Sequence, residues 1–171
     1  VNRTEQVVIH QAKNTSADKK AVEHLMRETF EYHARVAQGE GSLTFRPQAQ
    51  ESYLQECLNV LGFADNESGY EPARAFLAWF ADRPVGFLLA RIMRDHYYQN
   101  EFYGYIEQLI VGDGWRNRGV GSKLLDEAYK WLRSRYIYTA TLKVYGPNQE
   151  ALKFYRRQGF SPLRYELIKH I

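Results

Sequence analysis

The chain has 171 residues, 44% apolar and 15% aromatic, with 23 Lys+Arg against 20 Asp+Glu for a formal net charge of +3. A chain of that size buries roughly 70% of its unfolded surface and needs no staple; its single cysteine, Cys57, excludes an internal disulfide, and no Cys/His cluster has zinc spacing. No stretch approaches the ~20 apolar residues of a membrane helix and no signal segment opens the chain, so the expectation is one domain over residues 1–171, cytoplasmic, with no metal and no membrane partner.

The elements follow from apolar spacing. Val7 to His10 is a short β-branched strand. From Asp18, apolar residues recur at three-and-four intervals from Ala21 to Val36, predicting a helix with Ser16 or Asp18 as N-cap and Gly39 as its stop. A Gly/Pro-containing loop spans Gly39 to Pro47, and Tyr53, Leu54, Cys57, Leu58 and Leu61 mark a second helix ending near Gly62. Residues 64–73 carry turn formers without periodicity. Arg74 to Phe80 and Val85 to Arg94 read as a β-hairpin, with Asp82 and Pro84 setting the turn. After the polar, aromatic connection Asp95 to Tyr103 come a strand, Gly104 to Val111, and a helix, Gly119 to Arg135, burying Val120, Leu124, Leu125, Ala128, Trp131 and Leu132. Tyr138 to Tyr145 is a further strand. Asn148 caps a helix that Gly159 ends at Gln158, and Phe160 to Ile168 reads as the last strand.

Charge divides the chain unevenly. Residues 1–111 hold 11 basic and 15 acidic side chains, and residues 112–171 hold 12 and 5, which suits either two ligand surfaces of opposite sign or simply uneven solvated faces. In the basic part, an apolar strand runs into Arg116-Asn117-Arg118-Gly119-Val120-Gly121-Ser122 at the start of a long amphipathic helix. Helix N-termini expose unpaired N–H groups and the positive end of the macrodipole, so this segment suits a phosphate. It is neither a P-loop, since Gly121-Ser122-Lys123 reverses the order, nor a dinucleotide fingerprint, since Leu124 stands where a third glycine is needed. Two glycines at a helix start are equally the mark of a tight strand-to-helix turn.

Arg116-x-x-Gly119-x-Gly121, followed by Asn148-x-x-Ala151-x-x-x-Tyr155 and Gly159-Phe160, resembles the GCN5-related N-acetyltransferase (GNAT) family from about Val7 to the C-terminus. The resemblance implies an α/β fold with a mixed, largely antiparallel sheet, splayed middle strands and flanking helices. It implies that acetyl-coenzyme A binds between the strands Gly104–Val111 and Tyr138–Tyr145. The pyrophosphate would rest on backbone N–H groups of Asn117, Arg118, Gly119, Val120, Gly121 and Ser122, with Arg116 and Arg118 adding charged contacts. Leu109, Ile110 and Val111 would pair with the pantetheine arm, with a bulge there offering an N–H to the thioester oxygen, and Asn148 and Ala151 would contact the same ligand.

Glu107 interrupts an apolar strand, so its carboxylate needs a partner, a cleft or a raised pKa, and such a group facing a cleft can take the proton an acceptor amine must lose. Tyr155 shares a helix face with Asn148 and Ala151, and the resemblance implies that it protonates or positions the coenzyme sulfur. The alternatives are an edge position or a substrate-orienting anion for Glu107 and a core tyrosine for Tyr155. His33, His96 and Cys57 read as structural or solvated groups, and Tyr97, Tyr98, Phe102 and Tyr103 as either acceptor lining or packing.

The leading reading is an enzyme transferring acetyl from acetyl-CoA to a primary amine in a ternary complex, with Glu107 as general base and Tyr155 as general acid. A non-catalytic acyl-CoA-binding sensor or scaffold is the alternative. Glu31, Glu40, Glu51 and Glu56 would suit a cationic small-molecule or peptide acceptor; a nucleic-acid partner lacks any reading motif, and a homodimer is compatible with the pattern.

Overall fold

A computed structural model describes residues 6–36, 47–61, 72–96, 101–167 and 169. Its elements run β1 (Val8–Gln11), α1 (Ser16–Val36), α2 (Pro47–Leu61), β2 (Ala73–Phe80), β3 (Arg83–Arg94), β4 (Phe102–Val111), α3 (Val120–Ser134), β5 (Ala140–Leu142) and α4 (Gln149–Arg157). The five strands form one sheet in chain order, antiparallel except for the parallel β4–β5 pair. A parallel neighbour requires a crossover, and α3 supplies it.

The sheet is covered on both faces, which is why β3 reads as a nearly continuous apolar run. On one face Val22, Leu25 and Met26 of α1 and Leu54, Cys57 and Leu61 of α2 pack on Ala75, Leu77, Phe87, Leu89 and Ile110. On the other, Val120, Leu124, Leu125, Ala128, Trp131 and Leu132 of α3 pack on Phe76, Ala78, Leu88, Ala90 and Ile106. Each fully buried Leu or Phe contributes about 1.5–3 kcal/mol.

Several boundaries differ from the sequence expectation, each for a local reason. Thr15, not Ser16 or Asp18, caps α1: its Oγ1 accepts the Asp18 N–H at 3.1 Å. Asp18 stands three residues inside, at the capping-box position, and its carboxylate reaches back to the Lys13 N–H at 2.7 Å and to His10 Nε2 at 3.3 Å. Helix α2 begins at Pro47, well before its apolar face starts, because proline is favoured at a first helical position. The hairpin turn is made by Ala81, at φ 49°, and Asp82, whereas Pro84 lies in β3 opposite Trp79 beside a register irregularity. Strand β4 starts at Phe102, and β5 keeps only Ala140 to Leu142 of the expected Tyr138–Tyr145. Residues 160–167 form no strand, and Leu163, Tyr165 and Leu167 are exposed. Gly39, Tyr97, Tyr98 and Ile168 lie outside the described residues.

Candidate active site

The β4–β5 pairing lasts three residues: Gly104 with Ala140, Tyr105 with Thr141, Ile106 with Leu142. It stops where β4 carries an extra residue. Against β3, Ala90 faces Ile106 and Leu89 faces Gln108, so Glu107 is the bulged residue. A bulge bends its strand and increases the twist, and β4 leaves β5 from Glu107 onward. The expected bulge was at Leu109–Val111; the structure puts it at Glu107. Among the described residues, no strand pairs with the outer edge of β4 from Glu107 to Val111.

The bulge also resets which way side chains point. Ile106 belongs to the α3-side core, Glu107 and Gln108 both turn toward α2, and Leu109 and Val111 return to the α3 side while Ile110 joins the α1–α2 core. Glu107 thus sits on the α2 face at the point of divergence, its side chain 13% exposed. Of the three ways to keep a carboxylate in an apolar strand, the structure uses a partner. Arg91 Nε of β3 donates to Oε2, and Tyr53 Oη of α2 donates to Oε1 at 3.0 Å. Tyr53 Oη in turn accepts Gln108 Nε2 at 2.9 Å. Burial and the nearby Cys57 and Glu107 hold the Tyr53 phenol far above its ordinary pKa, so it stays protonated. Burial first, then Glu107, pushes the Cys57 thiol up to about 12. Cys57 is an inert core residue, as the sequence suggested.

Past β4, the chain turns through Gly114 (φ 79°), Asn117 (φ 60°) and Gly119 (φ 78°) into α3. These left-handed residues lead the chain into the helix N-terminus, whose first N–H groups and positive dipole end suit an anion. Gly119 is the N-cap and supplies no side-chain cap; Lys123 N–H, at 3.0 Å from Gly119 O, takes the N-cap carbonyl. Val120, Gly121 and Ser122 N–H precede any helical acceptor and remain donors for a ligand.

The two glycines serve different needs. A Cβ on Gly119 would meet nothing within 4 Å, so its φ is the constraint, whereas a Cβ on Gly121 would lie 3.1 Å from Phe154 Cζ of α4. The arginines rest on the loop itself. Arg116 reaches Asp113 Oδ1 at 3.4 Å and stacks 4.4 Å from the Tyr32 ring centroid, and Arg118 lies 5.1 Å from that of Trp115.

Helix α4 closes the far side. Asn148 Oδ1 accepts the Ala151 N–H at 3.2 Å, confirming it as N-cap, and also accepts Tyr32 Oη at 3.3 Å. At the C-terminus, Phe160 N–H to Tyr155 O at 3.0 Å and Gly159 N–H to Arg156 O at 3.1 Å form a Schellman motif. The Tyr155 ring packs edge-on against Phe160, centroids 5.6 Å apart, the contact such a motif favours. Burial, with Tyr129 of α3 nearby, raises the Tyr155 phenol to about 12. Gln158 Nε2 donates to Ser122 Oγ at 3.0 Å.

Glu107 thus faces α2 and Tyr155 packs near Tyr129 of α3. Sequence reasoning missed Arg91, Tyr53 and Tyr32, whose roles depend on a bulge and on contacts between distant segments. His33 has its pKa lowered by burial and its ring centroid lies 5.9 Å from that of Tyr32, whereas His96 Nδ1 meets Glu101 at 3.3 Å. Arg94 lies 5.5 Å from the Phe102 ring centroid on the exposed end of the hairpin. Among the described residues, no group of three or more His, Cys, Asp or Glu is placed to hold a metal ion, and no helix is long and apolar enough to cross a membrane.

The strand order, the opening of β4 from β5 and the turn into α3 match the α/β fold that the sequence resemblance implies. Comparison with known proteins agrees: the family model described as Acetyltransferase (GNAT) family matches residues 40–160, and the chain belongs to that family. An N-alpha-acetyltransferase MAK3 of Arabidopsis thaliana is 35% identical over 89 residues, 52% of this chain and 45% of that relative, so the match spans less than half of that protein's length. Among solved structures, a tetramutant of the BH1408 protein from Bacillus halodurans superimposes with TM-score 0.74 at 14% identity, covering 96% of this chain and 99% of that one. A PaiA N-acetyltransferase from Thermoplasma acidophilum in complex with coenzyme A gives TM-score 0.72 at 17% identity, covering 94% and 93%. At these identities the likeness establishes the fold.

Proposed function

We propose that the protein transfers acetyl from acetyl-CoA to a primary amine by direct attack in a ternary complex, which carries forward the leading reading of the sequence. The observation that supports it most is the opening of β4 from β5 at Glu107, which sets an acidic side chain beside an unpaired strand edge. That edge, Leu109 to Val111, is suited to hydrogen-bond an extended amide-bearing arm as a strand would, and an N–H there is suited to the oxyanion. The donors of Asn117 to Ser122 fit a pyrophosphate, with Arg116 and Arg118 free to swing from their resting contacts toward it. Asn148 keeps its Nδ2 for the ligand, since Oδ1 is taken by the cap and Tyr32, and Ala151 lies one turn further along the same helix face.

In this reading Glu107 accepts the proton of the acceptor ammonium, directly or through one water, from the α2 side. The freed nitrogen lone pair forms the C–N bond, collapse breaks the C–S bond, Tyr155 protonates the departing thiolate, and the extra proton left on the nitrogen restores the phenol by way of solvent. Tyr155 faces the leaving sulfur from the α3 side. Tyr155, kept protonated by its burial, acts as the general acid toward that sulfur. The acceptor lies on the α1–α2 side, where the relative named an N-alpha-acetyltransferase favours an N-terminal amine.

The test is coenzyme A release from acetyl-CoA against a panel of peptides with free N-termini, polyamines and aminoglycosides. Glu107→Gln should lower kcat about 100-fold or more, and Tyr155→Phe about 10-fold with the KM for acetyl-CoA unchanged. Unchanged rates for both on a good acceptor sink the assignment of these roles. Acetyl-CoA binding without turnover on any amine favours a sensor or scaffold instead.

A further inference from the structure

We infer that Tyr53 is a positioning residue for the reaction, holding the Glu107 carboxylate in one orientation through a directed hydrogen-bond relay that runs Gln108 to Tyr53 to Glu107. The inference rests on the acetyl-transfer reading and deepens it.

The direction of the relay follows from the chemistry of its members. An ionised carboxylate only accepts, so the single Tyr53 hydroxyl proton points at Glu107 Oε1, 3.0 Å away. The hydroxyl oxygen is then an acceptor, and Gln108 must present its amide N–H, which it does at 2.9 Å. The Gln108 bond occupies a lone pair of the hydroxyl, and although Cys57 also hydrogen-bonds with Tyr53, a neutral thiol is a weaker acceptor than a carboxylate, so the proton goes to Glu107. Each bond in such a chain polarises the next. Arg91 Nε holds the other carboxylate oxygen, so the plane of the carboxylate is fixed from two sides.

The bulge is what makes the relay. In a regular strand Glu107 and Gln108 would point to opposite faces; with Glu107 inserted as the extra residue, both reach the same phenol on α2. Tyr53 cannot itself serve as a base, because it stays protonated in its buried position. Its influence is on where the free lone pairs of Glu107 point, and so on how often an acceptor nitrogen arrives at attacking distance and angle. Among the described residues, the groups facing Glu107 are Arg91 on β3, Tyr53 and Cys57 on α2 and Tyr105 on β4. Arg91 is the charged one among them.

The test is a double-mutant cycle on Tyr53→Phe and Gln108→Leu, read as kcat and KM for both substrates, with Glu107→Gln assayed in parallel. Tyr53→Phe keeps the ring that packs on the α1–α2 core, and far-ultraviolet circular dichroism with acetyl-CoA binding by calorimetry verifies that the fold and coenzyme site survive. The expected result is a 10- to 30-fold fall in kcat for Tyr53→Phe with the acetyl-CoA KM unchanged, a smaller fall for Gln108→Leu, and little further loss when the two are combined. The acid limb of the kcat/KM profile should move to higher pH in Tyr53→Phe, because a donor to the charged form has gone. In a Glu107→Gln background, Tyr53→Phe should add little.

Strict additivity of the two substitutions, or a wild-type kcat in Tyr53→Phe, overturns the relay. If Glu107→Gln is crippled while Tyr53→Phe is not, the relay falls and the general-base assignment stands. If Glu107→Gln is fully active, both fall.

Discussion

Arg91→Met separates the charge holding Glu107 from everything else around it. The two side chains are 22% and 13% exposed, so the pair is mostly but not wholly removed from water. Breaking a fully buried ion pair by deleting one partner costs about 3–5 kcal/mol, because the surviving charge is left behind. Residual solvent contact and the remaining Tyr53 bond reduce this, and we expect a loss of about 2–3 kcal/mol. For a domain of this size each kcal/mol moves Tm by about 2–4 °C, so Tm should fall by roughly 5–10 °C.

Urea unfolding at pH 7 measures the loss directly, with an unchanged m-value showing that the folded state is as compact as before. The decisive comparison is with Arg91→Met/Glu107→Leu, which leaves no unpaired charge and should regain at least half of the loss. Any other contact of Arg91 disappears equally in both variants, so their difference isolates the carboxylate. A single variant that loses less than about 0.5 kcal/mol, or a double variant no more stable than the single, would refute the argument that Arg91 is what makes this strand tolerate an acid.

The remaining predictions concern the loop, the last helix and alkaline pH. Gly119→Ala places a Cβ in open space at φ 78° and should cost about 1–2 kcal/mol through backbone strain alone; a neutral result in thermal unfolding means the turn relaxes. Asn148→Ala removes the α4 cap and should cost about 1 kcal/mol, seen as faster amide exchange over Gln149 to Arg157 with exchange in α3 unaltered. Cys57 and Tyr155 are both held at about 12 against ordinary values of 9.0 and 10.0. A neutral acid whose folded value lies above its unfolded one stabilises the fold fully below the unfolded value and loses that contribution as pH rises through the folded one. Stability should therefore decline between pH 9 and 12, and urea midpoints that stay level across that window contradict it.

The elements that could be read from the sequence were those whose signal is local. The apolar face of α3 names its own buried residues, and Asn148 and Gly159 bracket α4 by capping chemistry alone. Gly119 and Gly121 were legible as a pair but not in their separate duties, since one depends on a dihedral angle and the other on the approach of Phe154 from a distant helix. The length of β5 was not legible, because pairing ended where its neighbour bulged rather than where its own β-forming residues ran out. Glu107 was found because a lone acid in an apolar run is anomalous. Tyr53 was read as one more apolar-face residue of its helix, and nothing in its own surroundings marks the hydroxyl as a partner of residues more than fifty positions away.

Helix α4 contains no fully buried residue; Phe154, Tyr155, Gln158 and the Asn148 cap tie it to the rest of the protein. A segment held so lightly opens at a small fraction of the global unfolding free energy. A ligand bridging the α3 N-terminus and α4 would raise that opening energy with its own binding energy, by RT ln(1 + [L]/Kd). The lifetime of the closed helix, and with it resistance to proteolysis around Gly146 and Pro147, would then follow the supply of coenzyme. On the acetyl-transfer reading, such a protein would be most durable with its coenzyme bound.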